Sequence, residues 1–112
     1  MKITVASLKH IKYCDIISET ISSSAKVRGT GIALRSPEYI KQKIENNNAV
    51  IATEDSEFAG FCYIEIWGHG KYVAHSGLIV SPKFRGKGLA KKIKKLTFQH
   101  SLEKYPDSKI FG

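Results

Sequence analysis

The sequence predicts one mixed α/β (α+β) domain with the element order β-α-α-β-β-β-α-β. Three observations predict it. The chain has 112 residues, enough for one hydrophobic core and too few for two. Its apolar residues recur every three or four positions in some stretches and every second position in others, the periods of amphipathic helices and half-buried strands. Turn- and cap-forming runs fall where the period changes: Ser36-Pro37, Asn46-Asn47-Asn48, Gly68-His69-Gly70 and Pro106-Asp107.

Ile3-Thr4-Val5 is a short β-like run, and Ser7 behind it is a good N-cap. Leu8, Ile11, Cys14, Ile17 and Ile21 follow at helical spacing, so residues 8–22 are expected to form an amphipathic helix. Lys9, Lys12, Asp15 and Glu19 fall off that stripe, and Ser22-Ser23-Ser24 is expected to fray its end. Residues 23–35 carry Gly29 and Gly31 around Thr30 and read as a loop or a broken helix. Ser36 as cap with Pro37 at the first helical position starts a second, short helix, with Tyr39, Ile40 and Ile44 inward.

Ala49 to Thr53 reads as a buried strand, Glu54-Asp55-Ser56-Glu57 as a polar turn, and Phe58 to Trp67 as the returning strand of an antiparallel hairpin. Phe61, Tyr63 and Glu65 share one face of that strand; Cys62, Ile64 and Ile66 share the other. Tyr72 to Val80 is a third long strand. Residues 88–104 make the longest helix, with Leu89, Ile93 and Leu96 along one side and lysines along the other. Lys109-Ile110-Phe111-Gly112 reads as the first residues of a strand, so the single domain, residues 1–112, is expected to be a C-terminally truncated one.

The formal charge of +8 favours anionic partners. Lys87, Lys91, Lys92, Lys94 and Lys95 supply much of it, in a run that reads as a solvated helix face. Cys14 and Cys62 show no paired spacing and no histidine cluster, which suits buried free thiols in a reducing compartment and no metal site. No apolar run approaches the roughly 20 residues that span a bilayer, and the first residues lack the apolar core of a secretion signal. A soluble cytoplasmic protein with no membrane partner is the expectation.

The stretch that carries chemistry runs from Gly77 to Ala90, GLIVSPKFRGKGLA: strand, short turn, glycine-rich loop, helix. Backbone N–H groups in such a loop are unpaired, the helix start adds more, and the helix dipole puts partial positive charge at the same place. Gly86 and Gly88 would let the backbone approach a phosphate, and Arg85 and Lys87 bring full charges beside it. The run is neither a Walker loop nor Gly-x-Gly-x-x-Gly, since position 91 is Lys.

The pattern resembles the acetyl-CoA loop of the GNAT acetyltransferases: Gln or Arg, two residues, Gly, one residue, Gly or Ala. Arg85, Gly88 and Ala90 fill those places. The Val80-x-Pro82-x-Phe84 lead-in and the element order from residue 2 to 112 agree as well. The resemblance implies a mostly antiparallel central sheet with helices on both faces, incomplete at its C-terminus. It implies acetyl-CoA as cofactor, held by Arg85, Gly86, Lys87, Gly88, Leu89 and Ala90 at the diphosphate. Backbone groups of Leu78, Ile79 and Val80 would pair with the pantetheine arm as an added strand does. One N–H there would polarise the thioester carbonyl.

A small-molecule primary amine would then attack the acetyl carbon directly, which requires a base to take a proton. Glu65 and His75, on central strands, are the candidates. The family's usual general acid, a Tyr on a later helix, has no counterpart here. Acceptor choice would fall to the first two helices and their connection, where Arg28 and Arg35 suit a carboxylate and so an amino acid. Two other functions fit the residues: a basic nucleic-acid-binding module, which the absence of an aromatic strand platform or helix-turn-helix pattern disfavours, and a non-catalytic acyl-CoA-binding domain. The short apolar final strand allows a homodimer through its edge.

Overall fold

Each strand–helix boundary is set by local chemistry. The computed structural model describes the backbone of residues 1–28 and 36–111, with side chains for 1–23 and 36–110. Strand β1 (Lys2–Val5) leads through Ser7 into a 3₁₀ segment at Leu8–Tyr13, which passes into helix α1 (Cys14–Arg28). Ser7 does cap this element. His10 closes the cap in place of the usual acid, its Nδ1 accepting from the Ser7 backbone N–H at 2.9 Å. Accepting there keeps His10 neutral. Burial and the nearby Lys9, Lys12 and Lys2 lower its pKa in the same sense.

The expected helix at 8–22 is therefore corrected in two ways. Its first turns are 3₁₀, with three residues per turn, so the apolar stripe starts out of phase: Leu8 is 67% exposed while His10 is buried. From Cys14 the α period resumes, Ile17 and Ile21 are buried, and the helix continues through the serines to Arg28. Helix α2 (Pro37–Glu45) starts as expected, the Ser36 side chain accepting from the Tyr39 N–H at 3.1 Å. Ile40 and Ile44 form its inner face.

Strands β2 (Ala49–Glu54) and β3 (Glu57–Trp67) make an antiparallel hairpin whose turn is shorter than the polar run suggests, because Glu54 and Glu57 already pair. Asp55 and Ser56 alone turn the chain, with φ of 48° and 66°, the left-handed pair whose twist matches that of the strands. Strand β4 (Tyr72–Val80) runs antiparallel to β3, helix α3 (Leu89–Lys104) crosses back, and β5 (Lys109–Phe111) pairs parallel with Tyr72–Ala74. The five-stranded sheet has the order β1-β2-β3-β4-β5.

Two cores result, one per sheet face. Ile17, Ile40, Ile44, Phe61 and Tyr63 pack between the sheet and α1–α2. Val50, Ala59, Cys62, Leu89 and Ile93 pack between the sheet and α3. The mostly antiparallel sheet with helices on both faces is thus the observed fold. Both cysteines are buried and free. Among the described residues, no helix is long and apolar enough to cross a membrane.

Candidate functional site

β4 leaves its register with β3 at one point. Phe61 faces Ile79 and Tyr63 faces Ser76, so Gly77 and Leu78 together stand opposite Cys62 alone. This is a β-bulge, and its first residue, Gly77, has φ of 62°, the left-handed backbone that bulges of this kind give to glycine. Within the bulge Leu78 is exposed; beyond it Ile79 is buried and Val80 half-buried. β5 pairs with β4 only over Tyr72–Ala74. From His75 onward, that edge of β4 has no partner strand among the described residues.

The Ser81 N–H, bonded to Ala59 O at 2.8 Å, ends the strand. A 3₁₀ turn at Pro82–Phe84 follows, and buried Phe84 anchors it in the α3-side core. Arg85 reaches back, its Nε donating to Val80 O at 3.1 Å. Gly86 and Gly88 have φ of 79° and 73°, and a Cβ on either would meet no atom within 4 Å. They are glycines for backbone shape beside open space, which is what a bound group needs. A turn at Arg85–Gly86 takes up the Lys87 amide, while among the described residues the amides of Gly86 and of Gly88 through Lys91 donate to no other protein group. They sit at the start of α3, 16 residues long, where the dipole is positive. Lys87 holds its ammonium 5.8 Å from the Phe84 ring centroid. Lys83 is engaged with Glu57 at 2.8 Å, an exposed pair of little energetic weight.

The end of β4 and the loop thus follow one another directly: Leu78, Val80, Arg85, Gly86, Lys87, Gly88 and Ala90 are exposed or half-buried, while the side chains of Ile79 and Leu89 lie in the two cores and leave only their backbone for a ligand. The two candidate bases are not brought together. Glu65 shares the α1–α2 face with Tyr63, and its Oε1 accepts from Tyr39 OH at 3.2 Å. His75, opposite Ile64, faces α3. Ser101 Oγ donates to Thr97 O, so the His75 Nε2–H donates to Ser101 Oγ at 2.8 Å, and Nδ1 faces Lys94 Nζ at 3.5 Å. Burial first, and the Lys94 charge second, push the His75 pKa down to about 4. Arg28 ends α1 with only its backbone described, and Arg35 lies outside the described residues. No group of metal-ligating side chains occurs among the described residues.

His75 has a consequence for stability. Its folded pKa of about 4 lies below the ordinary 6.5, so between those values the unfolded chain binds the extra proton. The stabilisation is complete above pH 6.5 and is lost as pH falls toward 4. Urea unfolding at about pH 7 and pH 5, spanning much of that window, should show a smaller loss for His75→Gln than for the natural chain. Equal losses would rule out this account. His10, shifted in the same direction, leaves a residual slope in both.

Sequence reasoning missed two features. Tyr63, placed only on a strand face with Phe61 and Glu65, also lies against Gly77: a Cβ there would stand 2.1 Å from the ring's Cε1. The available signal was a lone glycine inside a β-rich run. Thr97 and Ser101, both 0% exposed, belong to the inner face of α3. They return their hydroxyls to Ile93 O and Thr97 O, which removes the polar penalty that reading hydropathy assigns them.

The sequence profile of the acetyltransferase (GNAT) family matches residues 19–106. No curated protein sequence matches the chain. Solved structures share the fold at low identity. Rv2747 from Mycobacterium tuberculosis, solved with CoA, superposes with a TM-score of 0.73 at 10% identity, over 92% of this chain and 58% of that one. N-acetylglutamate synthase from Neisseria gonorrhoeae, complexed with coenzyme A and N-acetyl-glutamate, gives 0.66 at 22% identity, over 94% and 22%. Diaminobutyrate acetyltransferase EctA from Paenibacillus lautus, with L-2,4-diaminobutyric acid and coenzyme A, gives 0.68 at 15% identity, over 87% and 55%. The chain therefore spans less than two thirds of the length of each of these. The bulged strand, the glycine loop at the start of α3, and a family profile running through both establish that the chain belongs to the GNAT acetyltransferase family.

Proposed function

We propose that this chain is the acetyl-CoA-binding part of an N-acetyltransferase that acts on a primary amine of a small molecule, with an amino acid as the acceptor class. One observation carries the reading: the undonated amides of Gly86 and Gly88–Lys91 stand at a helix start, with open space at Gly86 and Gly88, in direct continuation of the bulged end of β4. A diphosphate suits that donor set, because it can accept several N–H bonds at once and is favoured by the dipole. Arg85 and Lys87 add charge, and the backbone of Leu78–Val80 would receive the pantetheine arm. When bound, acetyl-CoA supplies the activated acetyl group.

The chain's own residues then orient the reactants and move a proton. Glu65 is the preferred base. It lies on the face that α1 and α2 cover, the side that also carries Arg28. His75 is turned to α3 and holds its proton on Nε2 for Ser101. Arg28 and Arg35 would hold an acceptor carboxylate. Two of the structural relatives were solved with N-acetyl-glutamate and with L-2,4-diaminobutyric acid, both amino-acid compounds, which supports that acceptor class here.

A thermal-shift screen tests the reading. Acetyl-CoA and CoA at a hundredfold excess over Kd should add about 2.7 kcal/mol, a rise in Tm of roughly 10 °C for a domain of this size. ATP should do far less. No shift with acetyl-CoA, or a larger one with an oligonucleotide, would overturn it.

A further inference from the structure

Tyr63 is 1% exposed, and its ring occupies the space that a side chain at residue 77 would need. The ring's Cε1 and Cδ1 lie 2.1 Å and 2.6 Å from the position of a Cβ on Gly77. That is the residue at which β4 departs from register. A bulge leaves residues without ladder partners, so something besides strand pairing must define its backbone.

The ring is itself held from three directions. Tyr39 on α2 meets it edge-on, with centroids 5.6 Å apart at 77°. Phe61 lies 6.3 Å away. The Lys43 ammonium stands 5.7 Å from its centroid while donating to Ile64 O at 2.8 Å. α2 therefore presses a clamped aromatic plate onto the bulge from the face opposite α3.

We propose that Tyr63 is a positioning residue whose ring holds the Gly77–Leu78 bulge in the shape that Leu78–Val80 need to receive the pantetheine arm of acetyl-CoA. The inference rests on the acetyl-CoA reading above. It predicts a division of labour: the bulge serves the pantetheine half of the cofactor, and the amides of Gly86 and Gly88–Lys91 serve the diphosphate half, independently of Tyr63.

The test compares Tyr63→Phe, which keeps the ring, with Tyr63→Leu, which removes it; Tyr63→Met serves if the leucine variant does not fold. Without ligand, amide hydrogen exchange read by NMR should accelerate about tenfold at Gly77–Val80 in Tyr63→Leu, with the β1–β2 ladder and the 86–91 loop unchanged. In calorimetric titrations the same variant should bind acetyl-CoA about tenfold more weakly, and adenosine 3′-phosphate 5′-diphosphate within about twofold of the natural chain. Tyr63→Phe should match the natural chain in both. Exchange that rises uniformly over the sheet, or equal weakening toward both ligands, would reduce Tyr63 to an ordinary core residue and overturn the proposal. A natural chain that binds neither ligand would instead overturn the acetyl-CoA reading, and the exchange arm would still decide whether the ring holds the bulge.

Discussion

Gly77→Ala is expected to destabilise the domain by about 2–5 kcal/mol, from overpacking at about 1–3 kcal/mol and a left-handed alanine at about 1–2 kcal/mol. The new methyl would stand 2.1 Å from the Tyr63 ring, well inside contact distance. The ring cannot swing aside, since Tyr39, Phe61 and Lys43 surround it. The left-handed cost persists even if the ring yields, because φ is 62°. Urea unfolding measures the sum. Repeating the substitution in a Tyr63→Leu background should restore the overpacking part and leave the backbone part, a non-additive pair. A loss below about 1 kcal/mol for Gly77→Ala alone would mean that the bulge tolerates a side chain, contrary to the geometry.

Replacing Gly86 and Gly88 together with alanine should act differently, without a clash and with a direct loss of ligand binding. Nothing lies within 4 Å of either Cβ position, so no clash follows and only the left-handed backbone is penalised, at about 1–2 kcal/mol per residue. The cost to ligand binding should be of comparable size. If the loop relaxes toward negative φ, its amides turn away from a common point. Losing about two hydrogen bonds to a charged group, at about 1.5 kcal/mol each, is roughly a hundredfold in Kd. Titration with CoA reads this directly, and an affinity within about threefold of the natural chain would remove the loop from the binding site. Because Gly77 is packed and Gly86 and Gly88 are open, the two experiments separate a glycine that shapes the fold from glycines that leave room for a ligand.

The loop was legible in sequence because it is local. The spacing of Arg85, Gly88 and Ala90 lies within six residues, and its backbone needs no distant partner to be recognised. Ser36 and Pro37 likewise announced α2 through short-range cap chemistry. The 3₁₀ start at Leu8–Tyr13 was not legible, since apolar spacing is read at 3.6 residues per turn and the His10 cap tightens the turn instead. The face of Glu65 followed from alternation along its strand, but the face of His75 and which helix covers which face did not. That assignment places His75 against Ser101 and Glu65 against Tyr39.

By itself the sequence determined the order of elements, the two periods of burial and the glycine loop, all of which depend on residues near one another in the chain. Tertiary structure alone decided what Tyr63 does. Its ring meets Gly77 because β3 and β4 pair with one residue out of step, and α2 closes over the ring from a different part of the chain. Register and helix placement come from the packing of remote segments, and no local pattern encodes which side chain will fill the space above a bulge.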